Sequence, residues 1–237
     1  MDKKLIAMDM DGTLTQHKSE LEESNRTALL KLQKKYSLVI VGAGSCERIH
    51  RQMQFNGIDI IGYYGMQMMF WQTAKNGFSS HKDEKHPVDK QEILKKMDWL
   101  RKTYHYENYV GESVEFHDSG IVTLPLLGTG AALEDKLLFD PHRTKRREIY
   151  AGVSELFGSY TVFIGGSSSF DMAPLPYNKH YALSEYADIK GFRKDEILYI
   201  GDDYGMGGND SQIYHSDIDF LKVDNYRDFP QITADLL

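Results

Sequence analysis

Apolar residues along this chain follow two periodicities in turn. Leu5-Ile-Ala-Met8 is a continuous apolar run, and Leu21 to Tyr36 then sets Leu21, Ala28, Leu29 and Leu32 at near-helical spacing. Ser37-Leu-Val-Ile-Val41 is a second continuous run, closed by Gly42-Ala-Gly-Ser45; Cys46 to Phe55 reads as a helix and Asp59 to Gly62 as a short strand. The tail repeats this: Lys179 to Ala187 is helical, Glu196-Ile-Leu-Tyr-Ile-Gly201 a strand ending in Asp202-Asp203, and Ile218 to Val223 another strand. Continuous apolar strands separated by helix-length segments predict a parallel sheet covered on both faces, a Rossmann-like three-layer α/β/α core.

The middle reads differently. Lys82 to Tyr106 is charged and helical, with strand-like stretches at Ser113–Phe116 and Ile121–Leu126. A basic helix over Arg143–Phe157 follows, then strands near Thr161–Ile164 and Ser169–Ala173. Strands, helix and strands predict an α+β module inserted into the core, so that 1–80 with 178–237 form the core and 81–177 the insert. The Arg143–Arg147 stretch is expected to be a solvated face, and Phe70, Trp71 and Trp99 core or interface groups.

Composition narrows the classes. The 237 residues are 41% hydrophobic and 27% charged, long enough to bury a sizeable core. A formal charge of −7 argues against a nucleic-acid partner, whose footprint is basic. No apolar run approaches the ~20 residues of a membrane span, and Leu5–Met8 is shorter than the roughly 7–15 apolar residues of a secretory segment. With a single cysteine, Cys46, the expected setting is the cytoplasm.

In an open parallel sheet, ligands gather beyond the carboxyl ends of the strands. Those ends carry Asp9-Met-Asp11-Gly12-Thr13, Gly42-Ala-Gly-Ser45 and Gly201-Asp202-Asp203, with Gly207-Gly-Asn-Asp210 a loop further on. Carboxylates brought together from separate strand ends repel one another. A hard cation such as Mg²⁺ resolves that repulsion and neutralises a phosphoryl group in transfer.

Asp9-Met-Asp-Gly-Thr13 after an apolar strand resembles the first motif of the haloacid-dehalogenase-like superfamily. The resemblance implies Asp9 as the nucleophile that forms an aspartyl-phosphate, and Asp11 as general acid/base with a backbone carbonyl on the metal. Thr13 would orient the loop, and Asp202 would be the further Mg²⁺ ligand beside Asp9 and Asp11. Gly42-Ala-Gly-Ser45 is similar in position to the family's phosphate-holding motif, with Gly44 and a hydroxyl at the phosphate; one alignment puts Ala43 at the hydroxyl's place, another Ser45. Lys179 matches the lysine that pairs with phosphate and nucleophile.

Gly201-Asp-Asp-Tyr-Gly-Met-Gly-Gly-Asn-Asp210 resembles the eukaryotic-type phosphomannomutase branch, which carries an inserted α/β (C2-type) cap. That likeness implies Asn209, and Ser169 and Asp171 in Gly165-Gly-Ser-Ser-Ser-Phe-Asp171, as substrate-binding positions, and leaves the roles of Asp203 and Asp210 open. It also allows a homodimer through the cap. The chain departs from the mutase pattern where cap arginines would grip a second phosphate: those positions read His117, Thr129 and Lys136, and the arginine near the first motif becomes Lys18, which the resemblance keeps as a phosphate-binding position. Arginine forks grip phosphate bidentately. Their loss makes Mg²⁺-dependent hydrolysis of a small phosphate ester, a sugar phosphate, the expected activity. A phosphohexomutase and a non-enzymatic phosphosugar-binding protein are the alternatives.

Overall fold

The computed structural model describes residues 2–17 and 19–237, so Lys18 lies outside the described residues. In chain order the strands are β1 (Leu5–Met8), β2 (Ser37–Val41), β3 (Asp59–Gly62), β4 (Gln67–Gln72), β5 (Gly77–Asp83), β6 (Glu115–Phe116), β7 (Val122–Pro125), β8 (Tyr160–Gly165), β9 (Ser169–Pro174), β10 (Ile197–Gly201) and β11 (Asp219–Lys222). The α-helices are α1 (Glu23–Leu32), α2 (Cys46–Met53), α3 (Lys90–Tyr104), α4 (Leu133–Phe139), α5 (Thr144–Leu156), α6 (Lys179–Lys190), α7 (Ser211–Tyr214) and α8 (Phe229–Ile232). They form two compact units: Met1–Glu84 with Asn178–Tyr204 and Asp210–Leu237, and Lys85–Tyr177 with Gly205–Asn209. The expected division at 80/81 thus compares with one at 84/85. The loop Gly205–Asn209, expected in the first unit, groups with the second.

The first unit is a seven-stranded sheet in the order β11-β10-β1-β2-β3-β4-β5. β1 pairs in parallel with both β10 and β2, in register Leu5↔Ile197 and Leu5↔Ser37. Strand side chains alternate between faces. Ile6, Met8, Ile40, Ile60 and Ile200 therefore pack with Leu29, Leu32, Ile49 and Met53, while Leu5, Ala7, Val39, Ile61 and Tyr199 pack with Leu183 and Tyr186. Helices on both faces of a parallel sheet give the α/β class that the apolar runs imply. β4 and β5 extend the sheet antiparallel; β4 holds the apolar run Met68-Met69-Phe70-Trp71, not expected as a strand, and β5 holds none. Chain order runs outward from β1 in both directions, which makes the carboxyl ends of β1, β2 and β10 the topological switch point where ligands bind.

The second unit is an antiparallel sheet, β6-β7-β9-β8. Val122, Leu124, Val162, Ile164, Phe170 and Met172 share a core with Ile93, Met97 and Leu100 of α3 and Val153 of α5. Trp99, expected in the core or at an interface, is 51% exposed on α3 and so outside the core. One expectation fails here. Arg146 is buried rather than solvated: its guanidinium ties Asp140 Oδ2 at 3.0 Å to the carbonyls of Gly165, Gly166 and Ser169.

Candidate active site

β1 is buried throughout and delivers Asp9 at its carboxyl end, where the Asp9 N–H still donates to Ile200 O at 3.0 Å. α6 begins opposite. Asn178 caps it by accepting from Tyr181 N at 2.9 Å, which sets Lys179 on the first turn, fully buried. The Lys179 ammonium lies 2.7 Å from Asp9 Oδ1 and 2.8 Å from Asp210 Oδ1. Burial would push the Lys179 pKa down, but the two carboxylates outweigh it and raise it, so this lysine is charged. Asp9 is shifted well up, by burial first, with Lys179 opposing and Asp210 and Asp202 adding repulsion.

Asp210 is the residue whose role the sequence left open. Its Oδ1 accepts from Lys179 and from Tyr199 OH at 2.6 Å, and its Oδ2 from the Asp203 N–H at 3.0 Å. It is thereby an anchor that holds Lys179 against Asp9. Tyr199 was missed because a tyrosine inside an apolar strand reads as core.

Asp202, at the end of β10, accepts from Thr13 Oγ1 at 2.8 Å. Burial, then the charge of Asp210, raise its carboxyl to about 6. Gly12 has φ +99°, and a Cβ there would overlap the Asp202 carboxylate, so the Asp-x-Asp-Gly glycine makes room for a partner from another strand. Carboxylate oxygens of Asp9, Asp202 and Asp210 lie within 4.8 Å of one another. Three carboxylates face one ammonium here, and the upward shifts of Asp9 and Asp202 register their mutual repulsion. That donor set fits a divalent hard cation.

The Asp11 side chain turns to α2. Its Oδ2 accepts from Arg48 Nη1 and Nη2, each at 3.2 Å, and its Oδ1 from Gln52 Nε2 at 2.9 Å. Neither Arg48 nor Gln52 was singled out from the sequence, although their i, i+4 spacing places them on one helix face. Of the two hydroxyl candidates, Ala43 carries none. Ser45 is the N-cap of α2, its Oγ accepting from Arg48 N at 3.1 Å. Gly44 lies against the Arg48 guanidinium, which a Cβ would overlap. Cys46 is buried, and burial raises its thiol to about 12, which excludes a reactive thiolate.

In the second unit, Asp171 accepts from Thr123 Oγ1 at 2.8 Å, and His117 Nε2 lies 3.1 Å from the same hydroxyl. Ser169 Oγ donates to Gly165 O at 3.0 Å. Asn209 lies in the Gly205–Asn209 loop of this unit.

The model of the eukaryotic phosphomannomutase family matches residues 25–233. The chain belongs to that family. It is a branch of the haloacid-dehalogenase-like superfamily, whose members include phosphatases and phosphotransferases. The phosphomannomutase of Schizosaccharomyces pombe is 26% identical over 232 residues, covering 90% of this chain and 85% of the relative. That of Solanum lycopersicum is 29% identical over 231 residues, covering 90% and 86%. Among solved structures, an N-terminally truncated Plasmodium falciparum IMP-nucleotidase superposes with TM-score 0.72 at 17% identity, covering 100% of this chain and 70% of the other. A phosphatase of the superfamily from Bacteroides thetaiotaomicron gives TM-score 0.63 at 18% identity, covering 98% and 94%. At those identities the likeness is one of fold.

The positions where the sequence departs from the mutase pattern, Thr129 and Lys136 among them, are engaged within the second unit. Thr129 Oγ1 accepts from the Glu112 N–H at 2.8 Å, and Lys136 Nζ donates to Thr129 O at 2.9 Å. Arg101, the other buried arginine of this unit, is bound to the carbonyls of Tyr106, Ser113, Pro125 and Leu126.

Proposed function

We propose that this protein interconverts hexose phosphates by phosphoryl transfer through Asp9, as a phosphohexomutase. The carrying observation is the buried pair of Asp9 and Lys179, held by Asp210 at the switch point of the sheet. Family membership favours the mutase over the hydrolysis expected from the missing arginines. With Asp9 phosphorylated from a hexose 1,6-bisphosphate, the free hydroxyl of hexose 1-phosphate gives its proton to Asp11 and attacks phosphorus, and the bond to the Asp9 oxygen breaks. The bisphosphate so formed reorients, an Asp9 oxygen attacks its other phosphorus, and Asp11 returns the proton to the leaving hydroxyl. Lys179 stays charged throughout and draws negative charge from both Asp9 and the phosphoryl oxygens. Asp9 and Asp202, with the Asp11 backbone carbonyl, would hold Mg²⁺, which when bound neutralises charge on the transferring group. Ser169 and Asp171 of the cap would meet the sugar, and the setting would be the cytoplasm.

The engagement of Thr129 and Lys136 with each other supports a second reading, in which water replaces the second hydroxyl and the product is inorganic phosphate. The test is hexose 1-phosphate with Mg²⁺ and a trace of hexose 1,6-bisphosphate, followed for both hexose 6-phosphate and inorganic phosphate. Isomerisation that disappears in Asp9→Asn supports the mutase; phosphate release alone selects hydrolysis. No turnover of either kind overturns both and leaves a phosphosugar-binding protein; turnover surviving Asp9→Asn removes Asp9 as the nucleophile of either reading.

A further inference from the structure

We propose that Arg48, with Gln52, is the positioning residue for Asp11 in its acid–base step. The proposal rests on the reading of Asp11 given above. Asp11 sits in the turn after β1, bridged to Thr15. Proton transfer demands that the carboxyl oxygen lie within hydrogen-bond reach of the leaving oxygen, and small misplacements are costly. α2 contributes to that placement. Both Nη atoms of Arg48 meet Oδ2, Gln52 Nε2 meets Oδ1, and the two clamps are themselves linked, Arg48 Nη1 donating to Gln52 Oε1 at 2.9 Å. Gln52 Nε2 also donates to Thr15 Oγ1 at 3.0 Å, at the closing end of the same turn.

The residues around the clamp are suited to it. Ser45 Oγ accepts from the Arg48 backbone N–H and so fixes the helix turn from which the side chain starts. Gly44, one turn earlier, lacks the Cβ that would displace the guanidinium. His17 Nδ1 stands 4.0 Å from Asp11 Oδ1, a pair only when the imidazole is protonated. Arg48 differs from it in gripping a single oxygen with two donors, which leaves the carboxylate less freedom to turn. A lysine would offer a point charge without the fork. The clamp also explains why a helix said only to hold phosphate carries Arg and Gln at i, i+4 on the face turned to the first motif.

The experiment compares kcat/KM for hexose 1-phosphate with that for p-nitrophenyl phosphate, both with Mg²⁺. The nitrophenolate leaves without a proton, so an acid in the right place matters to the sugar phosphate and little to the aryl ester. Arg48→Ala is expected to lower the sugar-to-aryl ratio by about 10–100-fold, part of what a general acid contributes. Asp11→Asn should lower it at least as far, and Arg48→Lys less. Should Arg48→Ala not fold, Gln52→Leu and Arg48→Lys carry the same comparison. Equal losses on both substrates, with the ratio unmoved while Asp11→Asn moves it, overturn the proposal and leave Arg48 a structural tie. A ratio unmoved by Asp11→Asn removes the acid–base reading and the proposal with it, and turnover surviving Asp9→Asn removes the nucleophile separately.

Discussion

Lys179 holds two carboxylates with one ammonium, and its removal leaves both of them buried without their shared cation. Breaking a buried pair by deleting one partner costs on the order of 3–5 kcal/mol, so Lys179→Met should lower the urea midpoint sharply as well as abolish turnover. Tyr199→Phe is milder: it takes one donor from Asp210, and a loss of about 1–3 kcal/mol by denaturant titration is expected. Asp202 gives a pH signature. Its folded pKa, about 6, lies above the ordinary carboxylate value of 3.8, so between these limits the native state binds more protons than the unfolded chain. Its contribution to stability therefore falls as pH rises from about 4 to 6. In chelator-treated protein, Asp202→Asn should remove that component of the slope, read from denaturation midpoints across the window. An unchanged slope contradicts the assignment.

At the scale of elements, the second unit depends on Arg146, which pins α5 to the turn between β8 and β9 through Asp140 and three carbonyls. Arg146→Met should cost about 3–5 kcal/mol, because buried Asp140 loses its guanidinium partner and keeps only the Lys145 and Arg146 backbone N–H groups; thermal unfolding measures it. This arginine also marks where the sequence misleads. A run such as Arg143-Thr-Lys-Arg-Arg147 has the composition of a solvated helix face, and nothing local says that one of its members points inward. β1, β2 and β10 were legible because continuous apolar runs leave few alternatives, and the acidic residues at their ends follow from the strands. β4 and β5 were not: each has one face half-buried, and pairing across a hairpin is a contact that local pattern does not encode. Asp9, Lys179 and Asp202 could be picked out by type and position. Arg48 and Gln52 could not, since their partner Asp11 lies 37 and 41 residues away in the chain.

For the molecule as a whole, the gathering of three carboxylates at the switch point predicts a stability linked to divalent cation. Mg²⁺ at ~100 times its dissociation constant should stabilise the native state by about 2.7 kcal/mol, seen as a rise in melting temperature that Asp202→Asn abolishes. The α/β class and the presence of a cap-like insert were accessible from the order of elements alone, because alternation of strand and helix on either side of a different middle admits few folds. Which acceptor the proposed transfer uses was not, since the contacts of His117 with Thr123 and of Lys136 with Thr129 join residues that no local pattern links.

The chain crosses between the two units four times, at 84/85, 177/178, 204/205 and 209/210. The last two crossings bracket only Gly205–Asn209, where Ile164 N–H donates to Gly207 O at 2.8 Å and Gly207 lies under Ile164 and Tyr150. Grafting therefore has a hidden rule. A chimaera that swaps residues 85–177 for a foreign insert inherits a five-residue strap built for the departed one, and exchange of specificity between relatives should succeed only when both segments travel together.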